Sequence, residues 1–177
     1  MNIEEAIRTR RSIRSYTDEA IPKETILKLL DLAIHAPYAS HCWRFVVVQD
    51  PEKINQLAEI ARQSWIVEAP VIIVVGADTQ AFSEGQNTRW DAHKFRELFY
   101  IQDTAAAIEN LMLAATGMGL GTCWIGSFNE GGVSKAVHFP KNVRPVALVP
   151  IGYPAKPSKQ KEVIPLNEIV SWDTFKD

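Results

Sequence analysis

Gly117-Met118-Gly119-Leu120-Gly121 follows the apolar stretch Ile101–Met118 and precedes Thr122–Ser127. Glycines at this spacing superficially suggest a dinucleotide-binding loop. Such a loop must follow a strand and open a helix, so that the helix N-terminus meets a phosphate. Here the order is helix, glycines, strand, which reads as a helix C-cap and a tight turn. A doubly wound nucleotide-binding fold loses its main support. Residues 101–118 are apolar nearly all round, which predicts a helix at the centre of a fold. Asp103, Glu109 and Asn110 would each be costly in hydrocarbon, so a buried helix explains the stretch better than a membrane span.

Outward from this helix, the chain divides by pattern. Ile3, Ala6 and Ile7 put a small apolar stripe on a first helix. Pro22 opens a second, in which Ile26, Leu29, Leu30, Ala33 and Ile34 recur at helical spacing until Pro37 stops it. Phe45–Val48 reads as a buried strand. Pro51 begins a helix through about Gln63, with Ile54, Leu57, Ala58 and Ala61 inward, and Val71–Val75 reads as a second buried strand. Residues 77–98 are polar and aromatic with no clean period, which suggests a variable region, a lid or short helices. Thr122–Ser127 is strand-like, Glu130–Val137 a short helix, and Val143–Ile151 a strand. The tail after Gly152 is too polar to pack alone and is expected to lie along another subunit or across the surface. With no repeat or linker, residues 1–177 read as one domain of an α/β or α+β layered fold.

Composition narrows the function. Of 177 residues, 46% are hydrophobic and 23% charged, as in ordinary globular proteins, and the formal net charge is -2. No broad basic field exists to attract nucleic acid. Cys42 and Cys123 make no disulfide framework, and His35, His41, His93 and His138 show no metal-binding spacing. The acidic N-terminus lacks an apolar signal core, so a cytoplasmic protein is expected. His41 and Cys42 are neighbours whose side chains diverge in an extended chain. No nucleophile elbow or acid/base pair stands out. An enzyme with this sequence would rely on a cofactor for its chemistry.

One segment is suited to hold such a cofactor. Arg8-Thr9-Arg10-Arg11-Ser12-Ile13-Arg14-Ser15-Tyr16 concentrates four arginines with Ser12, Ser15 and Tyr16 beside a helix end. Arginine's rigid fork of donors matches phosphate oxygens. The same segment equally describes a solvated basic helix end.

The segment has companions in order: Ile21-Pro22, Ala36-Pro37, Trp43–Val48, Ala69-Pro70 before a strand, Gln102-Asp103, Gly119–Gly126, and Gly152-Tyr153-Pro154-Ala155 before a lysine-bearing tail. Each motif is weak alone, but the series resembles the nitroreductase family of FMN-dependent oxidoreductases over nearly the whole chain. The resemblance implies an α+β fold, three-layer α/β/α with a central, mostly antiparallel sheet, and an intertwined homodimer with FMN at the subunit interface. It implies that Arg10, Arg11, Ser12 and Arg14 hold the FMN phosphate and ribityl chain. The loop Pro37, Tyr38, Ala39, Ser40 and His41 of the other subunit would line the flavin. Trp124, Ile125, Gly126 and Ser127 would face the ring, Lys159 and Lys161 would close on the phosphate, and Gln63 would lie near the flavin. Trp124 could also simply fill the core. Trp90, Phe95, Phe99 and Tyr100 would form a cleft roof or a dimer contact.

In activity, the resemblance implies hydride transfer from NAD(P)H through FMN to a nitroaromatic, quinone or similar small acceptor by ping-pong exchange. No side chain need act as a catalytic acid or base. Reductive dehalogenation, flavin-consuming chemistry and a flavin-sequestering protein with little turnover are the alternatives. One departure stands out: the family loop usually reads Ala-Pro-Ser-x-x-Asn-x-Gln-Pro-Trp, whereas Ala36–Trp43 is two residues shorter and lacks the Asn, Gln and Pro.

Overall fold

Strand side chains point alternately to opposite faces, so a strand that is apolar at every position must be covered on both. The computed structural model describes residues 1–38, 40–81, 98–158 and 162–175, and it shows this arrangement. The helices are α1 (Ile3–Thr9), α2 (Lys23–Ala33), α3 (Pro51–Ala61), α4 (Tyr100–Gly117), α5 (Glu130–Val137) and α6 (Leu166–Ile169). The strands are β1 (Trp43–Val48), β2 (Val71–Asp78), β3 (Gly121–Thr122) and β4 (Val143–Gly152), in sheet order β1-β2-β4-β3 with every pairing antiparallel. Val71, Ile73 and Val75 enter a core with α2 and α4, while Ile72 and Val74 enter another with α3 and α5. The result is the three-layer α/β/α arrangement. The segment 82–97, which includes Trp90 and Phe95, lies outside the described residues.

Local chemistry sets the helix ends. Asn2 and Glu5 form a reciprocal capping box at α1, with bonds of 2.9 and 3.0 Å. Asp50 caps α3 ahead of Pro51, and Asn129 caps α5. At the C-terminus of α4, Gly119 takes φ +79° and the Leu120 N–H donates to the Ala115 carbonyl at 2.9 Å. The glycine motif is therefore the expected C-cap, not a nucleotide loop. From Asp103 to Thr116 no α4 residue is exposed, which makes this helix the centre of its layer.

The first helix forms as expected, its stripe burying Ala6 and leaving Ile3 68% and Ile7 57% exposed. Three expectations need correction. β1 is not fully buried: among the described residues it pairs with β2 alone, at the edge of the sheet, and it exposes Arg44 and Val47. Ile34 falls after α2 and is exposed. Finally, Thr122–Ser127 is not a continuous strand. β3 ends at Thr122, and pairing resumes only where Ile125 exchanges two 3.0 Å backbone bonds with Leu148. Between them Cys123 faces Pro150, which accepts from the Cys123 N–H at 3.4 Å but has no N–H to return.

The N-terminal segment lies along the end of this sheet. The Ile13 N–H donates to the Thr122 carbonyl and the Thr17 N–H to the Tyr153 carbonyl, both at 2.9 Å; the Ala155 N–H donates to Ser15 at 3.1 Å. It passes over the cross-strand pair Gly121 and Gly152. A Cβ on Gly121 would stand 2.7 Å from Ile13 Cγ1, and one on Gly152 2.7 Å from Tyr16 Cδ1. Gly121→Ala should therefore cost about 1–3 kcal/mol through overpacking, read as a lower urea midpoint; unchanged stability would show that the segment is not held this closely.

Candidate functional site

The stitched segment alternates, with Ile13 beneath it and Ser12 and Arg14 exposed. Opposite runs the chain after β4. Between them opens a cleft of about 500 Å³ lined by Arg11–Ser15 and Lys156–Ser158. Its cations are Arg11, Arg14 and Lys156, and its hydroxyls belong to Ser12, Ser15 and Ser158. Such a donor set suits a phosphate, since charged hydrogen bonds are about twice as strong as neutral ones.

The arginines divide their duties. Arg8 pairs with Glu4 at 2.9 Å, both largely exposed, and is a solvated helix end. Arg11 Nη1 donates to the Arg8 and Arg10 carbonyls, each at 2.7 Å, closing the end of α1. Arg10 Nε meets Glu109 Oε1 of α4 at 3.2 Å, and Arg10 does not line the cleft. Arg14 lies over the Trp65 ring, its Cζ 5.9 Å from the ring centroid. Trp65 donates from Nε1 to Gln63 Oε1 at 2.7 Å. Gln63 thus reaches the cleft only through Trp65, and itself borders a separate hollow with Arg62 and Glu59.

The loop after α2 packs elsewhere, on the N-terminal half of α4. Ala36 and Trp43 cover Ala107, and the Ser40 N–H donates to the buried Asp103 Oδ2 at 2.9 Å. Pro37 is exposed, as are Tyr38 and His41, whose rings lie 3.9 Å apart; both meet Trp43 edge-on. Ala39 lies outside the described residues. The segment Trp124–Ser127 is mixed: Ile125 is buried, whereas Trp124 is 38% exposed and Gly126 and Ser127 lie at the surface. A Cβ on Gly126 would meet only Trp124 Nε1, at 3.9 Å, so the backbone there is open to a flat ligand. Neither segment lines the arginine cleft within one chain.

Lys159 and Lys161 lie outside the described residues. The lysine that the structure places on the cleft is Lys156, which sequence reasoning passed over although it directly follows the Gly152–Ala155 motif. Trp65 was missed as well; its closeness to Arg14 has no signature in sequence spacing. Phe99 and Tyr100 open α4, and Arg144 Nη1 donates to the Tyr100 hydroxyl at 2.9 Å.

Neither cysteine offers a nucleophile. Burial and the nearby Asp103 charge push the Cys42 thiol up to about 11. Burial also raises Cys123, a shift opposed by the neighbouring Arg14 guanidinium and Ser12 hydroxyl. Both stay protonated, and so unreactive, at neutral pH. Among the described residues no cluster of three or more His, Cys, Asp or Glu side chains could hold a metal. No described helix is long and apolar enough to cross a membrane.

The cleft's arginines, lysine and serines fit a phosphate-bearing ligand. The Nitroreductase family model matches residues 7–71 and 61–153, nearly the whole span from α1 to the end of the sheet. The chain belongs to the nitroreductase family. It is 35% identical over 163 residues to a Methanothermobacter thermautotrophicus protein whose assigned name is that of an NADH dehydrogenase/NAD(P)H nitroreductase, covering 88% of this chain and 79% of that one. It is 31% identical to the FMN reductase [NAD(P)H] of Bacillus subtilis, over 93% of this chain and 71% of that one. The crystal structure of a nitroreductase family protein from Clostridium difficile superposes with TM-score 0.83 at 31% identity, covering 99% of this chain and 100% of that one. The protein is accordingly an NAD(P)H-dependent oxidoreductase with FMN as its cofactor. The donors lining the cleft fit the phosphate of FMN.

Because both thiols are buried and burial raises their pKa, they should be silent. A thiol-reactive chromogen should titrate neither cysteine in the native protein and both in urea; rapid native labelling would contradict the burial described above.

Proposed function

We propose that residues 1–177 form one FMN-binding unit that works as a homodimer, with FMN between the two copies. It passes reducing equivalents from NAD(P)H to a small planar acceptor, a nitroaromatic or a quinone. The observation that carries this reading is the cleft itself: Arg11, Arg14 and Lys156 converge with Ser12 and Ser15 where the N-terminal segment lies on the sheet end. They hold the phosphate. Arg10, tied to Glu109 through Nε, adds its remaining donors from behind, and Lys159 and Lys161 follow Lys156 as further candidates.

The other site residues divide between the copies. Trp124, Ile125, Gly126 and Ser127 of one copy present open backbone to the flavin ring. The loop Pro37–His41 of the other copy closes over it, with the Tyr38 and His41 rings in place of the family's amide side chains. The dimer is supported by apolar surface that a single chain leaves bare: Ile3 and Ile7 on α1, and Trp172 and Phe175 in the tail, which are 80% and 85% exposed. Bound in this site, FMN supplies hydride chemistry. The protein binds and orients both partners in turn, and no side chain is required to act as acid or base.

The purified protein should be yellow, bleach anaerobically with NADH or NADPH, and give parallel double-reciprocal lines with a quinone or nitroaromatic. Arg14→Ala should weaken FMN about ten- to a hundredfold, the equivalent of a charged hydrogen bond of about 1.5–3 kcal/mol. A colourless protein that ignores added FMN would overturn the reading. Unchanged FMN affinity in Arg14→Ala would overturn the phosphate assignment.

A further inference from the structure

Arg14 is an exposed side chain on an extended segment, and an arginine held by nothing gives up rotamer entropy when a ligand immobilises it. Here it is held beforehand. The 3₁₀ helix Ser64–Glu68 runs beside the segment. In a 3₁₀ helix residues three apart lie on one face, and Trp65 and Glu68 use that face to grip the segment at two points. The Trp65 ring lies 5.9 Å from Arg14 Cζ, and Glu68 Oε2 accepts from the Tyr16 N–H at 3.2 Å.

The indole is fixed in turn. Its Nε1–H donates to Gln63 Oε1 at 2.7 Å. Gln63 is placed by the end of α3, where Arg62 turns left-handed at φ 53° and the Gln63 N–H donates to the Ala58 carbonyl at 3.0 Å. A guanidinium over an indole is drawn to the ring quadrupole, whereas a phosphate binds through the planar fork of N–H donors, so the two contacts are compatible.

We infer that Trp65 and Gln63 are positioning residues for the cofactor phosphate, acting through Arg14: Gln63 fixes the indole, and the indole pre-sets the guanidinium at the cleft. The inference rests on the reading of the cleft as the phosphate end of the FMN site. It gives Gln63 a role other than direct contact with the flavin ring. Its physical content is pre-organisation, affinity gained by removing freedom before binding.

The test compares two ligands that differ only in the phosphate. FMN and riboflavin affinities are measured by flavin fluorescence on the full chain stripped of flavin, with urea midpoints alongside. Trp65→Leu should weaken FMN five- to twentyfold and leave riboflavin within twofold. Trp65→Phe, which keeps a ring but loses the Nε1–H anchor, should fall between. Gln63→Leu should act in the same direction with a smaller loss, and serves where Trp65→Leu does not fold. In an Arg14→Ala background, Trp65→Leu should add no further loss, because a positioning residue has nothing left to position. Equal weakening of FMN and riboflavin, or a Trp65→Leu effect that persists without Arg14, would overturn the positioning role and leave Trp65 as packing. If Arg14→Ala itself leaves FMN affinity unchanged, the phosphate assignment fails and the inference with it.

Discussion

Two facing glycines at the end of the sheet allow the rest of the site to exist. Gly121 and Gly152 are register partners, and the space their missing side chains leave is filled by Ile13 and Tyr16. This contact lets an extended segment lie on the sheet and bond to it on both sides. With Ile13 and Tyr16 pinned, Ser12 and Arg14 stand outward along one edge, and the chain leaving β4 brings Lys156 to the other. The Tyr16 phenol donates to Ile13 and Pro150 carbonyls at 2.7 and 3.3 Å, and burial pushes its ionisation far up, so it serves as a neutral strut.

The same sheet end accounts for the opening beside it. Pro150 pairs normally with Ile72 of β2 but offers β3 no N–H. The β3 ladder therefore lapses at Cys123 and closes again only at Ile125. Trp124, Gly126 and Ser127 are consequently exposed backbone near a well-anchored core rather than strand interior. A flat cofactor needs such a surface, with open amides on a rigid support. The anion cradle and the exposed backbone thus lie at the same end of the sheet, the first set by the paired glycines and the second by Pro150.

Much of this was legible in the chain. The order of helix, glycines and strand excluded a dinucleotide loop, and Gly119 proved to be the left-handed cap that order requires. The run Val71–Val75 announced a strand covered on both faces, and all four inward residues of α3 were readable from their spacing. Errors fell where a neighbour decides. β1 looks as apolar as β2 yet is an edge, because edge position depends on strand order and not on composition. Thr122–Ser127 has strand chemistry throughout, and only its register opposite Pro150 interrupts it. Of the arginines grouped by the sequence, Arg11 and Arg14 line the cleft while Arg10 turns towards Glu109, and Lys156 faces them although no local pattern singles it out.

Residue type and spacing act over a few residues, and so the sequence determined what is local: the helix caps, the alternation of β2, the donor chemistry of Arg10–Arg14 and, through an ordered series of motifs, the nitroreductase family and its cofactor. Tertiary structure decided which of those donors meet. Trp65 lies about fifty positions from Arg14, and both Gly121, on which the segment packs, and Lys156, across the cleft from it, lie more than a hundred positions away. Contacts at such separations are set by how the layers close around α4, a property of the packed chain as a whole. Spacing along the chain carries no record of them.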